Sequence, residues 1–159
     1  RTKLLDVARR GGTLVVQYQQ YSLHDEGVAP YPMTIARPHD RVTIEEAPVT
    51  VVDAASPLLA GPNPIGAADF DGWVQERSLY MPVQFDERYT SLLAMNDPGE
   101  EPNEGAVLIA AYGRGTYVYT TLSLFRQLPA GVPGPARLVV NMLAARASAS
   151  AGSRGTIVP

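Results

Sequence analysis

Cysteine is absent from the 159 residues. That gap excludes disulfides, thiolate nucleophiles, Cys-ligated zinc and iron–sulfur clusters. Histidine is scarce: only His24 and His39 occur, so one chain cannot offer three imidazoles to a metal. Positive charge is in deficit, with 13 Lys and Arg against 16 Asp and Glu and a formal net charge of −3. No overall field therefore draws nucleic acid or acidic lipid. Long apolar runs are missing too. The longest are short stretches such as residues 106–112, whereas a membrane-spanning helix needs about 20 residues. No basic-then-apolar leader opens the chain, a feature that a processed protein also lacks.

What is present fits one ordered domain. Hydrophobic residues make up 45%, enough for a core, and charged residues only 18%. The 14 Gly and 14 Pro predict many turns rather than disorder. Leu4, Leu5, Val7 and Ala8 form a helical apolar face, Arg9 and Arg10 suit the last turn, and Gly11-Gly12 stop the helix. Residues 13–18 then read as a buried parallel strand, so the opening is an αβ joint. Residues 19–40, with Pro30, Pro32 and Pro38, read as a long surface loop. Strand-like runs follow at 41–44, 48–52, 79–82 and 90–95, with short helical turns at 56–60 and 67–73. A β-hairpin is expected near residues 106–121 around Gly113-Arg114-Gly115, with Tyr117 and Tyr119 on one face and Thr116, Val118 and Thr120 on the other. Leu138, Met142 and Ala145 share one face of a final helix. The domain is placed at residues 1–145, with an Ala/Ser/Gly-rich flexible tail at 146–159.

Chemistry has several candidate locations. Asp69, Asp71 and Glu76 crowd around Trp73, the combination of paired carboxylates and aromatic platform that a sugar hydrolase uses; the alternative is a capped helix start with Trp73 in the core. His24-Asp25-Glu26 and His39-Asp40 are potential metal ligands, but adjacent residues on an extended loop point opposite ways. Ser91 and Ser123 lack the Gly-x-Ser-x-Gly elbow of an exposed nucleophile. Gly113-Arg114-Gly115 lacks the third glycine and following helix of a phosphate cradle. Arg77, Arg126 and Gln127 are the remaining ligand-binding candidates. Arg126 follows a strand end, where α/β sheets present ligand-facing loops, and either clamps a ligand or pairs with Glu76 or Asp71.

Two blocks carry a resemblance: Asp69-Phe70-Asp71-Gly72-Trp73-Val74-Gln75-Glu76-Arg77 and Phe125-Arg126-Gln127-Leu128-Pro129-Ala130-Gly131-Val132-Pro133-Gly134. Shorter matching runs lie at 11–16, 31–35, 41–43, 47–49, 57–59, 62–63, 89–90, 97–100, 113–115 and 117–120, and the match extends over roughly residues 4–145. The set resembles the C-terminal region of large bacterial PIG-L (LmbE-like) deacetylases, a class I glutamine-amidotransferase-like domain related to ThuA-type proteins. The resemblance implies a Rossmann/flavodoxin-like α/β sheet flanked by helices and lacking its N-terminal strands. An active amidotransferase of this class needs a cysteine, which the chain lacks. Arg37-Pro38-His39-Asp40 holds the letters of the family's His-Pro-Asp-Asp zinc motif in another order, so no zinc site is carried onto it. The resemblance therefore implies an accessory domain with no catalytic residue, metal or cofactor of its own, zinc being expected in the associated deacetylase domain. Its implied partners are that domain or a remaining N-terminal segment of the same protein, a second copy of the chain, and a carbohydrate. A sugar-directed hydrolase using Asp69, Asp71 and Glu76, or a free-standing carbohydrate-binding module, is the alternative. The family suggests a periplasmic or secreted location.

Overall fold

In the computed structural model, which describes residues 2–20 and 22–147, the first helix, α1 (Thr2–Arg9), ends at the glycine pair. Gly11 takes φ +109°, and the amides of Gly12 and Gly11 donate to the Val7 and Ala8 carbonyls at 2.9 Å each. This glycine stop satisfies carbonyls that the last helical turn leaves open. β1 (Thr13–Gln17) follows at once.

The expected hairpin forms from β6 (Asn103–Tyr112) and β7 (Gly115–Thr120). Tyr112 pairs with Gly115, which leaves Gly113 and Arg114 as a two-residue turn with Gly113 at φ +60°. A Cβ on Gly113 would lie 2.5 Å from the Arg9 carbonyl oxygen, so the hairpin tip sits directly under the end of α1. The Arg114 amide donates to that same carbonyl at 3.2 Å.

Around the hairpin grows a five-stranded sheet with order β1–β7–β6–β5–β3, where β3 is Val49–Val51 and β5 is Thr90–Met95. β1 runs parallel to β7, from Thr13 opposite Thr116 to Gln17 opposite Thr120. The remaining pairs are antiparallel. Among the described residues β1 thus ends the sheet: it is parallel as expected, but only Val16 of its five residues is buried, because one edge lacks a neighbouring strand. A second, two-stranded ribbon joins β2 (Met33–Val42) to β4 (Ser78–Phe85). A bridge between Ser78 and Leu122 hooks the ribbon to the end of β7. With α2 (Pro57–Ala60), a 3-10 turn (Ala67–Phe70), α3 (Leu124–Gln127) and α4 (Pro133–Ala144), the architecture is mixed α/β.

The period-2 alternation of the hairpin divides the core. Val107, Ile109 and Val118 join Leu138, Met142 and Trp73 on one face. Leu108, Ala110, Tyr117 and Tyr119 join Leu23, Ala29, Ile35 and Tyr89 on the other. Leu138, Met142 and Ala145 are buried, as their spacing predicts. α4 starts earlier than its apolar face suggests, because Pro133 and Pro135 fall in the first turn, where a missing N–H costs nothing. Gly134 is packed so closely that an added Cβ would fall 1.9 Å from the Asp69 carbonyl oxygen.

The loop expected over residues 19–40 is corrected: the chain is extended in β2 from Met33 onward, and Leu23 and Ala29 are buried rather than surface residues. Pro38 misleads because the pairing jumps from Ile35–Pro82 to Asp40–Met81. A proline in that irregular stretch removes no ladder hydrogen bond. The strand expected at 41–44 is the end of β2 and stops at Val42. Of the expected tail, Arg146 donates to Thr13 Oγ1 at 2.8 Å and the Ala147 amide to Thr116 Oγ1 at 2.9 Å. Residues 148–159 lie outside the described residues. No helix among the described residues is long and apolar enough to cross a membrane.

Candidate functional site

The segment from Asp69 to Arg77 wraps the edge of the aliphatic core. Asp69 is buried. Its Oδ2 accepts the Gly66 amide at 2.9 Å, its Oδ1 pairs with Arg137 Nη1 at 3.2 Å, and its backbone oxygen accepts Trp73 Nε1–H at 2.9 Å. Trp73 is only 2% exposed and packs on Phe70. The indole serves the interior and offers no open ring face to a sugar. Asp71 is exposed. Arg77 is buried, donates from Nη1 to the Phe70 carbonyl at 2.8 Å, and lies 5.7 Å from the Trp73 ring centroid. Burial pulls its guanidinium below the usual arginine range, while Glu46 and Asp71 act in the opposite direction.

Glu76, Ser123, Arg126 and Gln127 form a clasp. Arg126 Nε pairs with Glu76 Oε1 at 2.5 Å, the pairing that the sequence offered as one alternative. Gln127, fully buried, accepts the Val74 amide at 2.8 Å and donates to the Val74 and Glu76 carbonyls at 2.9 and 3.2 Å. Ser123 Oγ donates to the Glu76 carbonyl, and Gln127 Nε2 reaches Ser123 Oγ at 3.0 Å. These bonds tie the 73–77 loop to α3. Asp69 and Glu76 are each matched to an arginine of their own rather than to one another.

The other candidates lie apart from this clasp. Ser91 Oγ donates to the Glu104 carbonyl at 2.6 Å. His24 faces Asp25 at 3.8 Å on an exposed turn, beside Glu26. Asp40 accepts Asn103 Nδ2 at 2.8 Å. Among the described residues, no group of three or more histidines and carboxylates gathers as a metal site.

One assembly escaped the sequence reading. Phe125, Tyr18, Tyr80 and His39 form a continuous aromatic run. Tyr18 stacks on Tyr80 at 5.6 Å and 6°, Tyr80 on His39 at 3.9 Å and 14°, and Tyr18 tilts against Phe125 at 5.6 Å. Tyr18 directly follows β1, and Phe125 lies on α3 just beyond β7. The run therefore crosses the carboxyl ends of the two parallel strands, where open α/β sheets bind their ligands. Tyr80 holds φ +56° within β4, a left-handed conformation that costs a side-chain-bearing residue about 1–2 kcal/mol. Phe125 is 41% exposed, and the Arg126 guanidinium lies 4.9 Å from its ring. Ring faces and edges beside an Arg–Glu pair can stack against and hydrogen-bond a ligand. A family model, a curated protein or a solved structure matching this chain was not found.

Proposed function

We propose that this chain is a non-catalytic accessory domain of the class I glutamine-amidotransferase-like, ThuA-like kind, working beside the zinc deacetylase domain of a PIG-L (LmbE-like) protein. Its task is to dock that domain and to contact the carbohydrate through the run Phe125–Tyr18–Tyr80–His39. The observation that carries this reading is the edge strand β1, which pairs in parallel with β7 on one side only among the described residues. The Thr116 amide donates to the Gly12 carbonyl. Alternation from that bond directs the peptide groups of Leu14 and Val16 to β7 and those of Val15 away from it. Such an edge is a template for further parallel strands, as a flavodoxin-like sheet requires. Exposed apolar side chains on both neighbouring helices, Leu4 and Val7 on α1 and Val140 and Leu143 on α4, support the docking role.

The test mixes this chain with a PIG-L-type zinc deacetylase domain from the same source and follows association by light scattering. The reading expects a complex that Val15→Pro abolishes while the circular dichroism of the chain stays unchanged, because proline is tolerated on an edge. Hydrolysis of an N-acetyl sugar or a glycoside by this chain alone, lost in Glu76→Gln, would overturn it in favour of a sugar hydrolase.

A further inference from the structure

Arg77 poses a charge problem that the clasp does not solve. It is 5% exposed, and its guanidinium stays protonated in a protein. Its Nε–H has no acceptor, and no carboxylate lies within ion-pair distance of it among the described residues. One carbonyl bond and an indole face are thin compensation for a buried cation.

Arg77 is also one of the residues that line a cavity of about 270 Å³ between β3 and the 3-10 turn. Val49, Ile65 and Phe70 supply apolar walls, and the exposed Glu46 and Asp71 stand at its rim. A plain anion drawn to Arg77 would meet those two carboxylates on entering. A plain cation drawn to the rim would meet Arg77 inside. A molecule with a carboxylate, an adjacent ammonium and an apolar side chain satisfies all three sets of groups.

We propose that this pocket binds a free apolar α-amino acid, its carboxylate toward Arg77, its ammonium toward Glu46 and Asp71, and its side chain against Val49, Ile65 and Phe70. The volume suits such a ligand, being at or below the lower end of the range of about 300–1,000 Å³ seen for larger small-molecule sites. The site is separate from the β1 edge and from the aromatic run, so it stands or falls independently of the docking role.

Titration calorimetry on the whole chain with L-leucine tests the assignment. Saturable binding with a Kd of about 1 mM or tighter is expected. N-acetyl-L-leucine, without the ammonium, and L-leucinamide, without the carboxylate, should each bind about tenfold more weakly. The double variant Glu46→Gln, Asp71→Asn changes only exposed residues and so preserves the fold. It should weaken leucine about tenfold while isovalerate, which has no ammonium, binds as well as before or better. Three results would overturn the proposal: no saturable heat with leucine, isoleucine, valine or phenylalanine; equal affinity for leucine and leucinamide; or leucine binding unchanged in the double variant.

Discussion

Val118 faces α4 while its neighbours Tyr117 and Tyr119 face the β2–β4 ribbon, and the two sides of the sheet meet different demands. Under α4 the partners are Leu138, Met142, Val107 and Ile109, which carry no side-chain polar atoms, so stability there depends on area and fit. On the ribbon side each phenol also brings a hydroxyl that must be placed. Tyr31 Oη donates to the Ala111 carbonyl at 2.8 Å, and Tyr89 Oη donates to the Tyr31 carbonyl at 3.0 Å and accepts the Tyr31 amide at 3.3 Å. Among the described residues the buried Tyr117 hydroxyl has no partner. The contrast teaches that the α4 side rests mainly on fit, pinned by bonds from Trp73 Nε1–H to the Asp69 carbonyl and from the buried Asn141 amide to the Leu58 and Asn63 carbonyls, whereas the other depends on the protonation and hydrogen bonding of its phenols.

The largest effect that would break this contrast lies on the fitted side. Trp73→Ala should cost about 3–5 kcal/mol in urea unfolding, because it leaves a cavity that the surrounding core fills only in part. Alkaline pH should act on the tyrosine side alone. Burial pushes the phenols of Tyr89, Tyr117 and Tyr119 well above the usual tyrosine value. The folded state then holds these protons more tightly than the unfolded state does. Their contribution is complete below about pH 10 and declines as the pH rises beyond it, by at most about 1.4 kcal/mol per pH unit for each phenol. Phenolate absorbance should show these groups ionising together with loss of near-ultraviolet circular dichroism; ionisation in a chain that stays folded would refute the assignment.

Smaller substitutions sharpen the comparison within the tyrosine side. Tyr89→Phe removes the bonds to the Tyr31 backbone and should cost about 1 kcal/mol by denaturant titration. Tyr117→Phe removes a hydroxyl that has no partner among the described residues and should leave stability within about 0.5 kcal/mol of the parent or raise it. If the two variants behaved alike, the hydroxyl placement described above would not be what distinguishes them.

Local features of the fold were legible from pattern. The glycine stop after α1, a tight glycine turn between β6 and β7 (placed one residue too long, since Gly115 already pairs with Tyr112), and the facing of Tyr117 against Val118 follow from conformational preference and period-2 alternation, which act over a few residues. β2 was hidden because Pro38 carries a breaker signal, and only the skipped register opposite Pro82 and Met81 makes it harmless. At the candidate site the sequence offered Arg126 with Glu76 as one of its alternatives, and the pair forms. Trp73 beside three acids admitted a surface role or a core role, and burial decides for the core. The run Phe125–Tyr18–Tyr80–His39 gave no linear signal, because its members come from four distant segments (β2, β4, α3 and the end of β1) that only the folded chain brings together. The only local clue, the strained backbone of Tyr80, is a matter of φ and is invisible in residue type.

The parallel rung between β1 and β7 also orders events in time. On the ribosome, the stretch that becomes β1 leaves the exit tunnel roughly a hundred residues ahead of its partner, so closing that long loop is an entropic step that local turns cannot share. The β6–β7 hairpin can zip as soon as it is made, whereas α1 and β1 must wait for it. A nascent chain halted before Gly115 would therefore present β1 to chaperones without its β7 partner.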